Sequence, residues 1–159
     1  MLPRSKTANG IIVKGIDDVA VRFSKCCSPV PGDEILGFVT RGRGISVHRT
    51  DCVNIMNLPE IDRTRLIDAE WQEDSIAGNG RYFAEIVIYA NNRNGLLADV
   101  SRALTEKNID ILSLNTRVSK KGLASMSVSF EISSKNELNR IIDKLSNVES
   151  VVSIERTTG

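Results

Sequence analysis

The 159-residue sequence contains no apolar run approaching the roughly 18 residues that a membrane-spanning helix requires. Its first residues, Met1-Leu2-Pro3-Arg4-Ser5-Lys6, hold no apolar block of the kind a secretory signal carries. A cytoplasmic protein with no membrane partner is the expectation. Cysteine is scarce: there are three, an odd number that argues against a secreted disulfide framework and for thiols or metal ligands in a reducing compartment. Histidine occurs once. No charge of one sign dominates, the formal net charge being +1. Residues 1–55 hold eight Lys/Arg against five Asp/Glu, an excess that permits a nucleic-acid partner without demanding one. Internal repeats, low-complexity runs and a glycine-rich phosphate cradle ending in lysine are also missing, which speaks against a solenoid and against that route to nucleotide chemistry.

What is present is the composition of an ordinary soluble globular protein, 41% hydrophobic and 26% charged. The stretch Glu73-Asp74-Ser75-Ile76-Ala77-Gly78-Asn79-Gly80 is polar, carries two glycines and separates two patterned halves, so it reads as a connector. This gives a β-rich module over residues 1–74, a linker over 75–80 and a second domain over 81–159.

The second domain has the clearer pattern. Tyr82 to Ala90 alternates as a strand, and Asn91 to Gly95 breaks it with turn residues. From Leu96 the period becomes helical, with Leu97, Val100, Ala103 and Leu104 on one stripe, until Lys107-Asn108. Ile109 to Val118 reads as a strand, Ser119 to Gly122 as a turn, and Ala124, Met126, Val128, Phe130 and Ile132 as the buried face of the next strand. Ser134 and Glu137 have capping-box spacing ahead of a helix carrying Leu138, Ile141, Ile142 and Leu145, and Val148 to Glu155 closes as a strand. The order βαββαβ predicts a ferredoxin-like domain with both helices on one face of an antiparallel sheet. In the first module Val19, Val21 and Phe23 alternate, Arg41-Gly42-Arg43-Gly44 joins a hairpin of Ile35–Thr40 and Ile45–His48, Thr50 or Asp51 is placed to cap a short helix through Met56, and Leu66–Trp71 is a last strand. The fold class is therefore α+β.

Every cysteine and the lone histidine fall within residues 26 to 52, as Cys26, Cys27, His48 and Cys52. Three sulfurs and one imidazole suit a tetrahedral zinc ion, with Asp51 as a further or supporting group. The adjacent cysteines would diverge in an extended strand, so both can ligate only if the turn into Pro29 folds them to one side. Buried structural thiols are the competing reading. A third has Cys27 as nucleophile and His48 as base, but no sequence feature supplies the orienting group or the oxyanion site.

Two stretches resemble known families. Asn92-Arg93-Asn94-Gly95-Leu96-Leu97, followed by Asp99-Val100, resembles the first loop and helix of ACT domains. The run from Cys26 through Phe38, continued by Gly42 through Cys52, resembles the zinc-finger-like module that directly precedes a terminal ACT domain in long Rel/SpoT-type stringent-response proteins. The resemblance implies a regulatory C-terminal region without pyrophosphokinase or hydrolase activity of its own, in a parent that makes or hydrolyses (p)ppGpp. It implies contacts with ribosomal RNA and deacylated tRNA, zinc as a cofactor, and homodimerisation through the ACT domain. It also implies a branched-chain amino acid at Asn92, Asn94, Gly95, Leu96 and Leu97, where helix-start amides can hold a carboxylate; this chain has Asn92 where relatives often have aspartate. Arg41, Arg43 and Arg49, extended by Arg22 and Lys25, are the candidate RNA contacts. The alternative function is an amino-acid-sensing ACT dimer attached to another metabolic enzyme.

Overall fold

A computed structural model describes residues 4–6, 10–14, 20–76 and 80–157. Val19 and the linker residues 77–79 lie outside the described residues. The chain divides into two compact units between Gly80 and Arg81.

The first unit is a six-stranded sheet formed by β1 (Arg4–Lys6), β2 (Ile11–Lys14), β3 (Val21–Phe23), β4 (Ile35–Val39), β5 (Ile45–Arg49) and β6 (Leu66–Trp71), in spatial order β1-β2-β6-β4-β5-β3. Among the described residues only the β3–β5 pair is parallel. The β4–β5 hairpin is the expected one, closed by Thr40 N–H on the Gly44 carbonyl. Between β5 and β6 lie α1 (Val53–Met56) and a 3₁₀ turn, Glu60–Arg65. The cap of α1 is Cys52, with no side-chain hydrogen bond, rather than Thr50 or Asp51. Asp51 is diverted because its carboxylate is bound by Arg49. A second correction falls at the connector: Glu73–Ile76 forms a short helix, α2, instead of irregular chain.

The second unit has the predicted order: β7 (Tyr82–Asn91), α3 (Leu96–Glu106), β8 (Ile111–Val118), β9 (Leu123–Ile132), α4 (Lys135–Ser146) and β10 (Val151–Arg156). The sheet order is β10-β7-β9-β8, antiparallel throughout. Alternation sends Ala84, Ile86, Ile88 and Ala90 of β7 and Met126, Val128 and Phe130 of β9 into the core beneath Val100, Leu104, Leu138, Ile141 and Leu145 of the helices. Each such large side chain contributes about 1.5–3 kcal/mol on burial. Ser134 caps α4 by accepting from Glu137 N–H, but the Glu137 carboxylate reaches back to Ser133 N–H and Oγ rather than to the cap residue. The last strand starts later than its apolar pattern suggests, because Val148 still closes the helix end and Ser150 turns with φ 79°. Strand β8 is a sheet edge with all eight residues exposed. Among the described residues no helix is long and apolar enough to cross a membrane.

Candidate functional site

The sulfurs of Cys26, Cys27 and Cys52 and a ring nitrogen of His48 lie within 4.8 Å of one another. Local backbone explains how adjacent cysteines share one side. Residues 25–27 form a turn, Ser28 N–H bonds the Ser24 carbonyl, and Ser28 takes φ 45°, so Cys26 and Cys27 leave the strand direction and their sulfurs come to 3.9 Å. Strand β5 supplies His48, and the turn after it, closed by Cys52 N–H on the Arg49 carbonyl, supplies Cys52. His48 Nδ1 is 3.4 Å from Cys26 Sγ and 3.9 Å from Cys27 Sγ, and Cys26 and Cys52 sulfurs are 3.4 Å apart. A tetrahedron with Zn–S of about 2.3 Å and Zn–N of about 2.0 Å has edges of about 3.5–3.8 Å; the donor set fits a zinc ion in kind and number, and separations of 3.4–3.9 Å for four of its pairs, with all donors within 4.8 Å, can close onto one by small side-chain shifts. His48 Nε2 faces Ser46 Oγ at 3.0 Å, which leaves Nδ1 free to ligate when the proton sits on Nε2.

Arg49 organises the surroundings. Its main-chain N–H donates to Cys27 Sγ at 3.3 Å, its Nη1 to the Cys27 carbonyl, and its Nε and Nη2 bind both oxygens of Asp51 at 2.8 and 2.6 Å. Burial lowers the His48 imidazole below its usual value, favouring the neutral ligand form. Burial also pushes the Cys27 and Cys52 thiols up. At Cys26 burial acts in the same direction, but hydrogen bonds from Ser24, Asn54, Cys52 and Cys27 outweigh it and the thiol sits below its ordinary value. Cys27 is buried, and burial keeps its sulfur in the protonated thiol form, which speaks against the reading of Cys27 as nucleophile with His48 as base.

The loop before α3 forms one wall of an open depression of about 660 Å³, lined by residues 92–98 with Thr116 and Met126. Gly95 sits at φ 79°, a left-handed conformation that L side chains avoid. The amides of Gly95, Leu97 and Ala98 have no acceptor among the described residues. Arg93 braces the loop: Nη1 donates to the Asn94 carbonyl, Nε and Nη2 to the Glu149 carbonyl, and Nη2 to Asp99 at 2.7 Å. Because N–H and C=O oppose each other across a trans peptide, fixing the Asn94 carbonyl turns the Gly95 N–H away from Arg93.

Comparison with known proteins agrees with both halves. Residues 11–72 match the RelA/SpoT RIS domain family and residues 78–156 match the ACT domain family. The chain is a RIS domain followed by an ACT domain of the RelA/SpoT type. It is 37% identical over 158 residues to a GTP pyrophosphokinase of Streptomyces coelicolor, covering 98% of this chain and 18% of that protein. It is 38% identical over 156 residues to the bifunctional (p)ppGpp synthase/hydrolase RelA of Mycobacterium tuberculosis, covering 98% of this chain and 21% of that protein. The chain thus spans about a fifth of the length of these relatives. Among solved structures, the ACT domain from GTP pyrophosphokinase of Chlorobium tepidum is similar at 21% identity and a TM-score of 0.44, over 48% of this chain and 99% of that one.

Within the RIS domain, Arg41 and Arg43 are exposed at the hairpin tip; Arg22 on β3 and Lys25 in the turn after it are exposed too. Arg49 is not: its side chain is 6% exposed and occupied by Asp51 and Cys27, so it belongs to the cysteine site and not to an RNA surface. Gly44 has an internal reason, since a Cβ there would lie 2.1 Å from the Ala20 carbonyl oxygen; of the two hairpin glycines it is Gly42, with nothing within 4 Å of a built Cβ, that leaves open space. Sequence reasoning misses Ser24, Ser46 and the inward role of Arg49 in the RIS domain, and Thr116 and Met126 at the ACT loop. Pairing across sheets and turns brings these residues in, and no local spacing signals it.

Proposed function

We propose that this chain is the regulatory region of an enzyme that makes or hydrolyses (p)ppGpp, coupling starvation to catalysis through the ribosome and deacylated tRNA. The observation that carries this reading is the match over 98% of the chain, with RIS and ACT domains in one order, to proteins named for that chemistry. The RIS domain is held by zinc on Cys26, Cys27, His48 and Cys52 and contacts RNA through Arg41 and Arg43, whose guanidinium groups are exposed beside the open space at Gly42. The ACT domain binds the carboxylate of a branched-chain amino acid at the amides following Asn94, in the depression that Leu96, Leu97 and Met126 line. It pairs with a second copy through the exposed edge β8, which carries Ile111, Leu112, Leu114 and Val118 at the surface and borders the same depression through Thr116.

Sedimentation with ribosomes holding deacylated tRNA in the decoding site tests the principal claim. The chain is expected to co-sediment, and changing Arg41 and Arg43 together to alanine is expected to weaken binding and flatten its logarithmic salt dependence by about two units. Absence of co-sedimentation by the folded chain would refute ribosome contact, and an unchanged salt slope would remove the hairpin from it. Calorimetry against leucine, isoleucine and valine tests the ACT ligand separately.

A further inference from the structure

The zinc reading uses the four donors together, but their separate positions point to a covalent chemistry as well. Cys26 is the one member of the set that is partly exposed, while Cys27, His48 and Cys52 are buried. Its sulfur lies 3.4 Å from that of Cys52, closer than the 3.9 Å to Cys27. A disulfide requires about 2.05 Å, a closure of little more than one ångström between two side chains that both stand on turns. Cys26 lies in the turn 25–27, and Cys52 is the residue before α1. Cys27 is a poorer partner on two counts. Joining adjacent residues closes a small strained ring around a planar peptide, and the Cys27 sulfur is already fixed by Arg49 N–H at 3.3 Å.

We propose that Cys26 and Cys52 form a reversible thiol/disulfide pair in which Cys26 is the peroxide-reactive thiol and Cys52 resolves it, in competition with metal binding. Cys26 thiolate attacks one oxygen of hydrogen peroxide; the O–O bond breaks, hydroxide leaves, and Cys26 becomes the sulfenic acid. Cys52 then attacks the Cys26 sulfur, the S–S bond forms, the S–O bond breaks and a second hydroxide leaves. The two thiols lose two protons and two electrons, and peroxide is reduced to two waters. The disulfide removes two of the four metal donors, leaving Cys27 and His48, which are too few to hold zinc in a closed tetrahedral site. Oxidant and metal are therefore alternative occupants of one site, and a dithiol reductant restores the metal-binding form.

The test is to treat the whole chain, stripped of metal, with hydrogen peroxide and to map the product by intact and peptide mass. The expected product has lost the mass of two hydrogens, contains one cross-linked peptide pair joining Cys26 to Cys52, and reverts with dithiothreitol. Zinc added beforehand is expected to slow the cross-link, and with peroxide in excess zinc is expected to reach a chromogenic chelator in step with the cross-link that does form. In C52S, dimedone is expected to trap the sulfenic acid on Cys26. If that variant does not fold, the wild-type peptide map decides by itself. A cross-link joining Cys26 to Cys27, cross-links only between chains, or conversion of Cys26 to sulfinic acid with Cys52 left as free thiol would overturn the proposal.

Discussion

In the RIS domain the candidate site is made of side chains that are largely buried and already bonded to one another; in the ACT domain it is made of main-chain amides at the mouth of an open depression. The first holds its donors at about zinc spacing through bonds within one chain, from Arg49, Ser46 and the turn at Ser28. The second is braced from below by Arg93 but stands open beside the exposed edge β8. Preorganisation therefore differs: a metal would need little rearrangement in the RIS domain, whereas a small ligand at the ACT loop would still be partly in water. The comparison predicts that metal acts on stability and that the ACT ligand acts through association.

The largest effect separating the two units concerns metal. A saturating ligand present at a thousandfold its dissociation constant adds about 4 kcal/mol. Chelation is therefore expected to lower the RIS-domain melting transition by roughly 10 °C or more, leaving the ACT transition in place. Differential scanning calorimetry with and without zinc reads both. The converse variant is Phe130→Ala, which empties a fully buried position in the ACT core and should cost that domain about 3–5 kcal/mol while the RIS transition stays put. A single shared transition that moves with either change would contradict the two-unit account.

A smaller effect is expected at Arg49. Replacing it by alanine removes the clasp on Asp51 and Cys27 but leaves a carboxylate that is 62% exposed and can rehydrate, so about 2 kcal/mol is expected rather than the full cost of a buried orphan charge. Zinc affinity should fall by roughly tenfold or more in a chelator competition, because the bond to the Cys27 carbonyl goes with the side chain. Stability of the metal-free RIS domain should also depend on pH. Unfolded His48 takes up a proton near about 6.5, above its lowered folded value, so stability falls as pH drops through that range. Folded Cys27 and Cys52 hold their protons longer than the unfolded thiols do, so stability falls again as pH rises past about 8.5, with Cys26, shifted the other way, offsetting part of the loss. Urea midpoints across that range check both arms, and zinc should reverse the alkaline one. The smallest effect belongs to Gly95→Ala, which forces a side chain into φ 79° at about 1 kcal/mol and should weaken any carboxylate ligand more than it weakens the fold.

The two units also differ in how far their sequences can be read. The ACT domain is legible element by element, because Ala124 to Ile132 alternates strictly, Ser134 and Glu137 mark a helix start, and Asn108 ends a helix at φ 57°; the exception is Leu97, read onto the buried stripe of α3 but exposed, its place in the core being taken by Leu96. The RIS domain shows its hairpin and its four donors, but not how adjacent cysteines come to share one side. That depends on Ser28 at φ 45°, a conformation no residue preference there announces. Arg49 is misread from sequence for a related reason. It lies close in sequence to the basic hairpin, yet every residue of β5 is buried and the Arg49 guanidinium is held inward by Asp51 and the Cys27 carbonyl. Spacing along the chain reports which face a residue takes on one element, and these two sites are made where several elements meet.

Zinc K-edge X-ray absorption on protein purified without chelators tests the central claim most directly. One zinc per chain is expected, with three sulfur neighbours at about 2.3 Å and one nitrogen at about 2.0 Å. A shell dominated by oxygen, or a well-folded RIS domain with negligible zinc under reducing conditions, would contradict it and leave Cys26, Cys27, His48 and Cys52 as a packed cluster without a metal.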